Sequence, residues 1–284
     1  MYYDRKSKKT VKENEYKQKS LEFLYNTELG RFLLKLFIAR PWLSKVVSLY
    51  HKSFLSKKDI KPFVKEYNVA VKQKDIKKFK SFNDFFIRKR NKQIKQTNKN
   101  ELVAVADSKL SYYPITKDLR VKIKNSNYSI EELLENKKLA SFFDGGTCLV
   151  FRLAVNDNHR YIYIDDGKLA MHKKIKGELH TIRPIAEEYN VFTRNSREVN
   201  FLNTKNFGYV VQTEVGALLI GKIKNNKKST FKKNEEKGYF EFGGSTIVVL
   251  INKDIEFDED IAKMNEQGIE IQVRAGERIG IKKE

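Results

Sequence analysis

The pattern of apolar and polar positions along the chain changes near residue 100. Before it, apolar residues recur at helical spacing, and from about residue 101 short β-branched runs alternate with turn residues. The runs span 102–106, 110–115, 119–124, 147–155, 160–165, 208–215, 217–223 and 247–252. Many short, closely spaced strands are typical of an antiparallel sandwich or barrel. We therefore predict an α+β protein, in which a helical region over residues 1–100 precedes an antiparallel β-rich domain, sandwich- or barrel-like, over residues 101–284.

Local signals refine this division. Two capping boxes, Ser56 with Asp59 and Ser81 with Asp84, each predict the start of a short helix. A capped helix over 129–139 is predicted to interrupt the strands. Residues 1–20 are polar and charged, so we expect a disordered basic tail there and no signal peptide.

Residues 31–52 combine apolar and basic positions around Pro41, which interrupts the helical pattern. Beyond it, one helix face carries Ser44, Lys45, Ser48 and Lys52, and the other carries Trp42, Leu43, Val46, Val47, Leu49 and Tyr50. Such a division is typical of a helix lying in a membrane interface. An ordinary amphipathic helix packed on the body of the protein would show the same pattern, and the two interpretations are compatible.

Charge is concentrated at the N-terminal end. The chain carries a formal net charge of +21, and residues 1–100 hold 27 Lys and Arg against 9 Asp and Glu. A basic N-terminal third predicts binding to a polyanionic partner, either nucleic acid or an anionic membrane. A Lys-rich composition throughout the chain would produce the same charge without such a partner. No run of eighteen apolar residues occurs, so a membrane contact is expected to be peripheral.

Few residues are available for metal or redox chemistry. Cys148 is the sole cysteine, which excludes an internal disulfide and a cysteine-based metal cluster. No His, Asp or Glu spacing stands out as a metal site, so we expect no metal.

A Gly243-Gly244-Ser245-Thr246 element precedes the apolar run 247–251. It can be a tight turn, or it can be the arrangement in which a serine attacks the peptide bond before it, which requires a nearby base. His159, at the mouth of a predicted strand, is the candidate base, and Asp107 is a candidate to orient its imidazole. Each of these two residues also fits an ordinary structural role.

Four blocks in matching order resemble the phosphatidylserine decarboxylase proenzymes. They are Ser81-Phe82-Asn83-Asp84-Phe85-Phe86-Ile87-Arg88, Ala106-Asp107-Ser108-Lys109-Leu110-Ser111, Asn158-His159-Arg160-Tyr161 and Gly243-Gly244-Ser245-Thr246. The resemblance covers roughly residues 55–284. Two positions depart from the pattern: Ile162 stands where many members have a second histidine, and Ser108 where many have glycine.

The resemblance implies self-cleavage between Gly244 and Ser245, after which Ser245 becomes a pyruvoyl group, the covalent cofactor that engages the substrate. It implies that Asp107, His159 and Ser245 form the charge-relay set. The implied activity is decarboxylation of phosphatidylserine to phosphatidylethanolamine by a heterodimer of the two fragments, bound peripherally to the cytoplasmic side of the cell membrane.

Two alternatives remain open from the residues alone. The chain could be a basic module that binds nucleic acid or membranes without catalysis, which would leave the ordered blocks unexplained; on the main interpretation no nucleic-acid partner is expected. It could also be a pyruvoyl decarboxylase that acts on another amine.

Overall fold

The computed structural model describes residues 1–13, 18–38, 41–90, 94, 97–123, 126–181, 184–217, 222–226, 228–242 and 245–283. Helices and strands are both abundant, which confirms the predicted α+β class. None of the described helices is long and apolar enough to cross a membrane.

The α-helices are α1 (Gln18–Asn26), α2 (Glu28–Leu33), α3 (Pro41–Lys52), α4 (Ile60–Glu66), α5 (Gln73–Ile76), α6 (Phe82–Phe86), α7 (Ile130–Leu134), α8 (Lys137–Ala140), α9 (Val191–Arg194) and α10 (Glu259–Glu266). Short 3-10 helices span Phe54–Asp59, Ser141–Phe143 and Pro184–Tyr189, and a π-helical turn spans Leu34–Ile38.

The strands are β1 (Tyr2–Asp4), β2 (Lys9–Val11), β3 (Glu101–Val103), β4 (Ser108–Pro114), β5 (Arg120–Ile123), β6 (Ser126–Ser129), β7 (Thr147–Leu153), β8 (Arg160–Ile162), β9 (Gly167–Ile175), β10 (Arg197–Thr204), β11 (Gly208–Gly216), β12 (Ile223–Asn225), β13 (Thr230–Phe231), β14 (Glu236–Phe240), β15 (Ser245–Ile251), β16 (Ile255–Phe257), β17 (Glu270–Val273) and β18 (Arg278–Lys282).

A ten-stranded sheet forms the centre of the described molecule, in the order β13-β9-β10-β11-β15-β7-β4-β17-β1-β2. Its neighbours pair antiparallel, except for the parallel pair β1 and β17. The sheet ends at β13 and β2 and does not close into a barrel. Strand β15 lies in its interior, between β11 and β7, with every residue buried.

Alternate residues of β15 contribute to two hydrophobic cores, as expected from the two-residue period of a strand. Ile247 and Val249 belong to the core covered by α10 and by two three-stranded sheets, β12-β14-β8 and β16-β18-β3. Val248 and Leu250 belong to the core on the other face, covered by α1, α7 and α9. The central sheet is therefore the middle layer of the fold.

A third, aromatic cluster joins the N-terminal helices to the sheet domain. Phe63, Phe82, Phe85 and Phe86 are buried there with Phe242, three residues before β15. The helical segment 60–87 therefore packs against the end of the chain segment that leads into the predicted cleavage element.

The extreme N-terminus differs from the predicted disordered tail. Strand β1 pairs with β17, and Arg5 forms ion pairs with Asp258, Asp260 and Glu277. Sequence periodicity could not show this, because three-residue strands are too short for a pattern and the three carboxylates lie more than 250 residues away in the chain.

Two further local predictions need correction. Ser56 lies inside the 3-10 helix and its Oγ donates to the carbonyls of His51 and Ser53, so it is not a helix cap. The predicted helix 129–139 is two helices, since Glu135 has a left-handed backbone conformation with φ +46°. The predicted strand 217–223 lies mostly outside the described residues.

Candidate active site

Ser245 is the first residue of β15 and is completely buried. It stands between Gly216 of β11 and Leu153 of β7 in the sheet register. Within the described residues, its Oγ has no hydrogen-bond partner. The predicted cleavage bond itself involves Gly244, which with Gly243 lies outside the described residues.

His159 is also completely buried, and it lies beside the segment that leads to the two glycines. Its backbone carbonyl accepts a hydrogen bond from Phe240 N at 3.0 Å. Its ring lies against Phe86, with 4.0 Å between ring centroids, and Phe86 in turn contacts Phe242 at 5.1 Å. The candidate base and the residue two positions before Gly244 therefore share one aromatic cluster.

The orientation of the His159 ring is set by a backbone carbonyl. Nδ1 lies 3.1 Å from Asp157 O. A carbonyl oxygen can only accept, so this hydrogen bond places the proton of a neutral imidazole on Nδ1 and makes Nε2 the nitrogen able to accept a proton.

The turn that carries Asp157 is held by a buried ion pair that the sequence did not predict. The Asp157 carboxylate accepts from Lys109 Nζ at 2.9 Å and from Ala154 N at 2.8 Å. Burial raises the pKa of Asp157, and Lys109 opposes that shift. These two side chains fix the turn between β7 and β8, and so the position of the carbonyl that orients His159.

Asp107 lies next to the chain segment that carries His159. Ala106 and Tyr161 form an isolated antiparallel bridge, so Asp107 and Arg160 lie on adjacent segments of the chain. The Asp107 carboxylate accepts from Arg90 Nη1 and from Ala275 N, each at 2.9 Å, and Arg90 also donates to the Arg160 carbonyl. Among the described residues, the hydrogen-bond partners of the Asp107 carboxylate do not include His159.

Helix α6, in the block that begins at Ser81, packs against the residues that precede the two glycines. Ser81 caps α6 by accepting from Asp84 N at 3.2 Å, which confirms that capping prediction. Asn83 Oδ1 accepts from Phe242 N at 3.3 Å. Helix α6 is therefore attached to the residue before the predicted cleavage element by a side-chain to main-chain hydrogen bond as well as by its rings.

A buried polar network lies on the same side of the sheet as Ser245. Glu214 stands two residues before Gly216 on β11, so its side chain points to the same face as the side chain of Ser245 opposite Gly216. Glu214 Oε1 accepts from Lys237 Nζ of β14 at 2.8 Å. Burial raises the pKa of Glu214 and lowers that of Lys237, and each charge opposes the shift of the other.

Of the remaining histidines, His51 contacts the same aromatic cluster as His159, whereas His180 and His172 have other surroundings. His180 is buried against Glu178 and the Tyr25 hydroxyl, and burial lowers its pKa. His172 lies 3.2 Å from Asn200 Oδ1 in the sheet. His51 packs on Phe242, with 4.2 Å between ring centroids. The described side chains include no group of three His, Cys, Asp or Glu residues able to hold a metal.

Comparison with known proteins assigns the family. Residues 82–281 match the family model described as phosphatidylserine decarboxylase. A phosphatidylserine decarboxylase proenzyme 2 of Clostridium acetobutylicum is 48% identical over 282 residues, which cover 98% of this chain and 97% of the relative. A phosphatidylserine decarboxylase proenzyme from Clostridium botulinum strain Hall and one from Clostridium perfringens strain ATCC 13124 are each 38% identical, with 99% of both chains covered.

The chain therefore belongs to the phosphatidylserine decarboxylase family, and the resemblance found in its sequence is confirmed. It is an enzyme of the proenzyme type, and the alternative of a non-catalytic basic module is not supported.

Proposed function

We propose that this chain cleaves itself between Gly244 and Ser245 and then decarboxylates phosphatidylserine to phosphatidylethanolamine. The observation that carries the proposal is that Ser245 and His159 are both buried beside the segment 240–242. Ser245 Oγ has no described hydrogen-bond partner, and the contact of His159 Nδ1 with the Asp157 carbonyl makes Nε2 the proton acceptor. Both lie where the segment 240–242 enters β15.

In the proposed maturation, His159 Nε2 takes the proton of Ser245 Oγ, which attacks the Gly244 carbonyl carbon. The new C–O bond replaces the Gly244–Ser245 C–N bond, and the proton passes to the freed amine. Loss of the Ser245 α-proton and cleavage of the Cβ–O bond then release the Gly244 carboxylate and leave dehydroalanine. Addition of water and loss of ammonia convert that residue into a pyruvoyl group at the start of the smaller fragment.

The residues present fit this group, because Ser245 is buried at the end of a central strand, where solvent is excluded. A pyruvoyl group supplies a carbonyl that binds the substrate amine and accepts the electron pair released with carbon dioxide. His159 holds the proton that must return to the substrate α-carbon. Ile162 in β8 leaves His159 as the histidine for both stages in this motif.

Asp107 acts in this proposal through Arg90. Its carboxylate holds the Arg90 guanidinium, which also donates to the carbonyl of Arg160, the residue after His159. The negative charge of Asp107 also favours the imidazolium that forms when His159 takes the serine proton.

The two fragments, 1–244 and 245–284, are proposed to remain together as a heterodimer. Strand β15 of the smaller fragment pairs with β11 and β7, and β17 pairs with β4 and β1. Separation would break hydrogen bonds along both edges of β15 and of β17.

We place the protein peripherally on the cytoplasmic face of the membrane, through its N-terminal helices. In α3 the small polar residues Ser44 and Ser48 are buried, whereas Val46 and Leu49 are 55% and 70% exposed. Apolar side chains also face solvent at Phe32 (58%), Phe54 (79%) and Leu55 (56%). An apolar surface next to exposed lysines matches an anionic bilayer. The side chain of Trp42, which we expected on this face, lies outside the described residues.

Intact mass spectrometry tests self-cleavage. The wild-type protein should give two chains, of 244 and 40 residues, the smaller with a blocked N-terminus. Ser245→Ala should give one uncut, inactive chain. Two fragments from Ser245→Ala would refute the mechanism, and release of carbon dioxide from serine or another amine in place of phosphatidylserine would favour the other substrate class.

A further inference from the structure

Helix α3 ends against the residues that precede the two glycines. Lys52 Nζ lies 2.7 Å from Glu241 Oε2, and the His51 ring lies 4.2 Å from that of Phe242. Glu241 and Phe242 are both buried. The last turn of α3 therefore contacts the two consecutive side chains that come before Gly243.

The end of α3 is also attached to α6. Ser56 Oγ donates to the His51 carbonyl and accepts from Phe82 N, the first residue of α6. The His51 ring lies 5.0 Å from the Phe82 ring. Helix α3, α6 and the segment 240–242 therefore form one packed unit.

The outer face of the same helix is the apolar surface described above. Val46, Leu49 and Tyr50 are exposed there, within one or two turns of Lys52. One short helix thus connects the proposed lipid-facing surface to the residues before the proposed cleavage bond, with no element between them.

We propose that Lys52 and His51 are positioning residues for self-cleavage, so that cleavage depends on how α3 is seated. The inference rests on the self-cleavage proposed above. Attack on a carbonyl needs the reacting atoms about 3–3.5 Å apart, and a misplacement of about 1 Å can lower a rate about 100-fold. An anionic bilayer bound to the outer face of α3 acts on the same helix, and so on the cleavage rate.

The test is the rate at which newly made chain converts into two fragments in a cell-free translation time course. Lys52→Met and Glu241→Gln should each slow conversion about tenfold or more, because the segment before the glycines loses its anchor. The double variant should be no slower than the slower single variant, because two residues that act as one pair do not have additive effects.

Tyr50→Phe is the matched control. It removes the 2.8 Å hydrogen bond from Tyr50 to Asp59 at the same end of α3 and keeps the ring that packs on His51, with 5.4 Å between ring centroids. It should convert at the wild-type rate. Melting temperatures of all variants, measured in the uncut Ser245→Ala chain, separate a loss of stability from a loss of positioning. Lys52→Arg keeps the charge and should stay within about threefold of wild type even if Lys52→Met does not fold.

The inference would be overturned by a wild-type rate for folded Lys52→Met, by multiplied effects in the double variant, or by equal slowing in Tyr50→Phe. A Lys52→Arg chain that folds but cuts as slowly as an uncharged variant would also overturn it. If the wild-type chain itself is never cut, the proposed self-cleavage is wrong. That failure is distinct from a failure of the role proposed for α3, which shows only as a difference between variants.

Lipid provides the second arm. Vesicles of phosphatidylglycerol, an anionic lipid that carries no carboxylate to remove, should speed conversion of the wild-type chain. They should not speed conversion of Lys52→Met/Glu241→Gln, in which the helix is no longer tied to the segment. An equal response of both chains would show that lipid acts elsewhere.

Discussion

At the scale of single residues, the chemistry of His159 depends on a main-chain atom. The carbonyl of Asp157 orients the ring, and the Asp157 carboxylate, held by Lys109, fixes that carbonyl. Substituting Asp157 would leave the carbonyl in the chain but free the turn to move. Asp107 acts from the other side through Arg90, so its effect on His159 is electrostatic and positional.

We expect His159→Ala and Asp107→Asn to block maturation, each by about 10³-fold or more, because residues that act as a unit have severe individual effects. His172→Ala should mature normally, since His172 lies in the sheet against Asn200. Gel analysis of the purified chains gives the answer. Normal processing of His159→Ala would direct attention to His180.

A second prediction at this scale concerns Lys237 and Glu214, whose side chains are 1% and 0% exposed. Lys237→Met leaves a buried carboxylate without its cation and should lower the free energy of unfolding by about 3–5 kcal/mol. Lys237→Met/Glu214→Gln should recover most of that loss. Urea unfolding of the Ser245→Ala chain measures both, and a double variant as unstable as the single would contradict this account.

At the scale of elements, the sequence predicted those strands whose apolar residues alternate or run together, such as β7, β11 and β15. It missed β10, because Arg197, Glu198 and Asn200 are polar yet buried in the sheet. Their hydrogen-bond partners come from other strands and helices, which no local pattern contains. The same limit applies to the site: family motifs pointed to Asp107, His159 and Ser245, whereas the Lys109–Asp157 pair joins residues 48 positions apart.

His180 links elements in a way that depends on pH. Its Nδ1 faces the Tyr25 hydroxyl of α1 at 3.3 Å, its Nε2 faces Glu178 at 3.0 Å, and Arg194 also approaches Glu178. Burial lowers the pKa of His180 below its ordinary value of 6.5, although Glu178 opposes the shift. The folded chain therefore binds a proton less readily than the unfolded chain.

Stability should consequently fall as pH drops below about 6.5, where the unfolded state gains the proton first. A glutamine side chain does not titrate, so the melting temperature of His180→Gln should fall less than that of the wild type between pH 7.5 and 5.5. Calorimetry of both proteins in the Ser245→Ala background makes the comparison. Equal losses in the two proteins would show that other groups dominate the acid sensitivity.

At the scale of the whole molecule, the N-terminal region exposes an apolar face and also packs against the sheet and the site. Residues 2–5 pair with β17 and with three carboxylates of the proposed smaller fragment, and His51 and Lys52 contact the segment before the glycines. Deleting residues 1–52 would therefore disturb the sheet and the site together with the exposed apolar face. Membrane binding has to be tested with single surface substitutions.

Leu49→Glu and Phe54→Glu should each weaken sedimentation with anionic vesicles, and together by about tenfold or more. Each removes an apolar side chain that would enter the interface and adds a charge that the anionic surface repels. Phe142→Glu is the control, because Phe142 is an exposed aromatic residue (41%) outside the N-terminal helices. High salt should weaken but not abolish wild-type binding, since it screens charges over about 10 Å at 0.1 M and leaves apolar burial intact. If the double variant still sediments as fully as Phe142→Glu does, the exposed face of α3 and the adjoining 3-10 helix is not the membrane anchor.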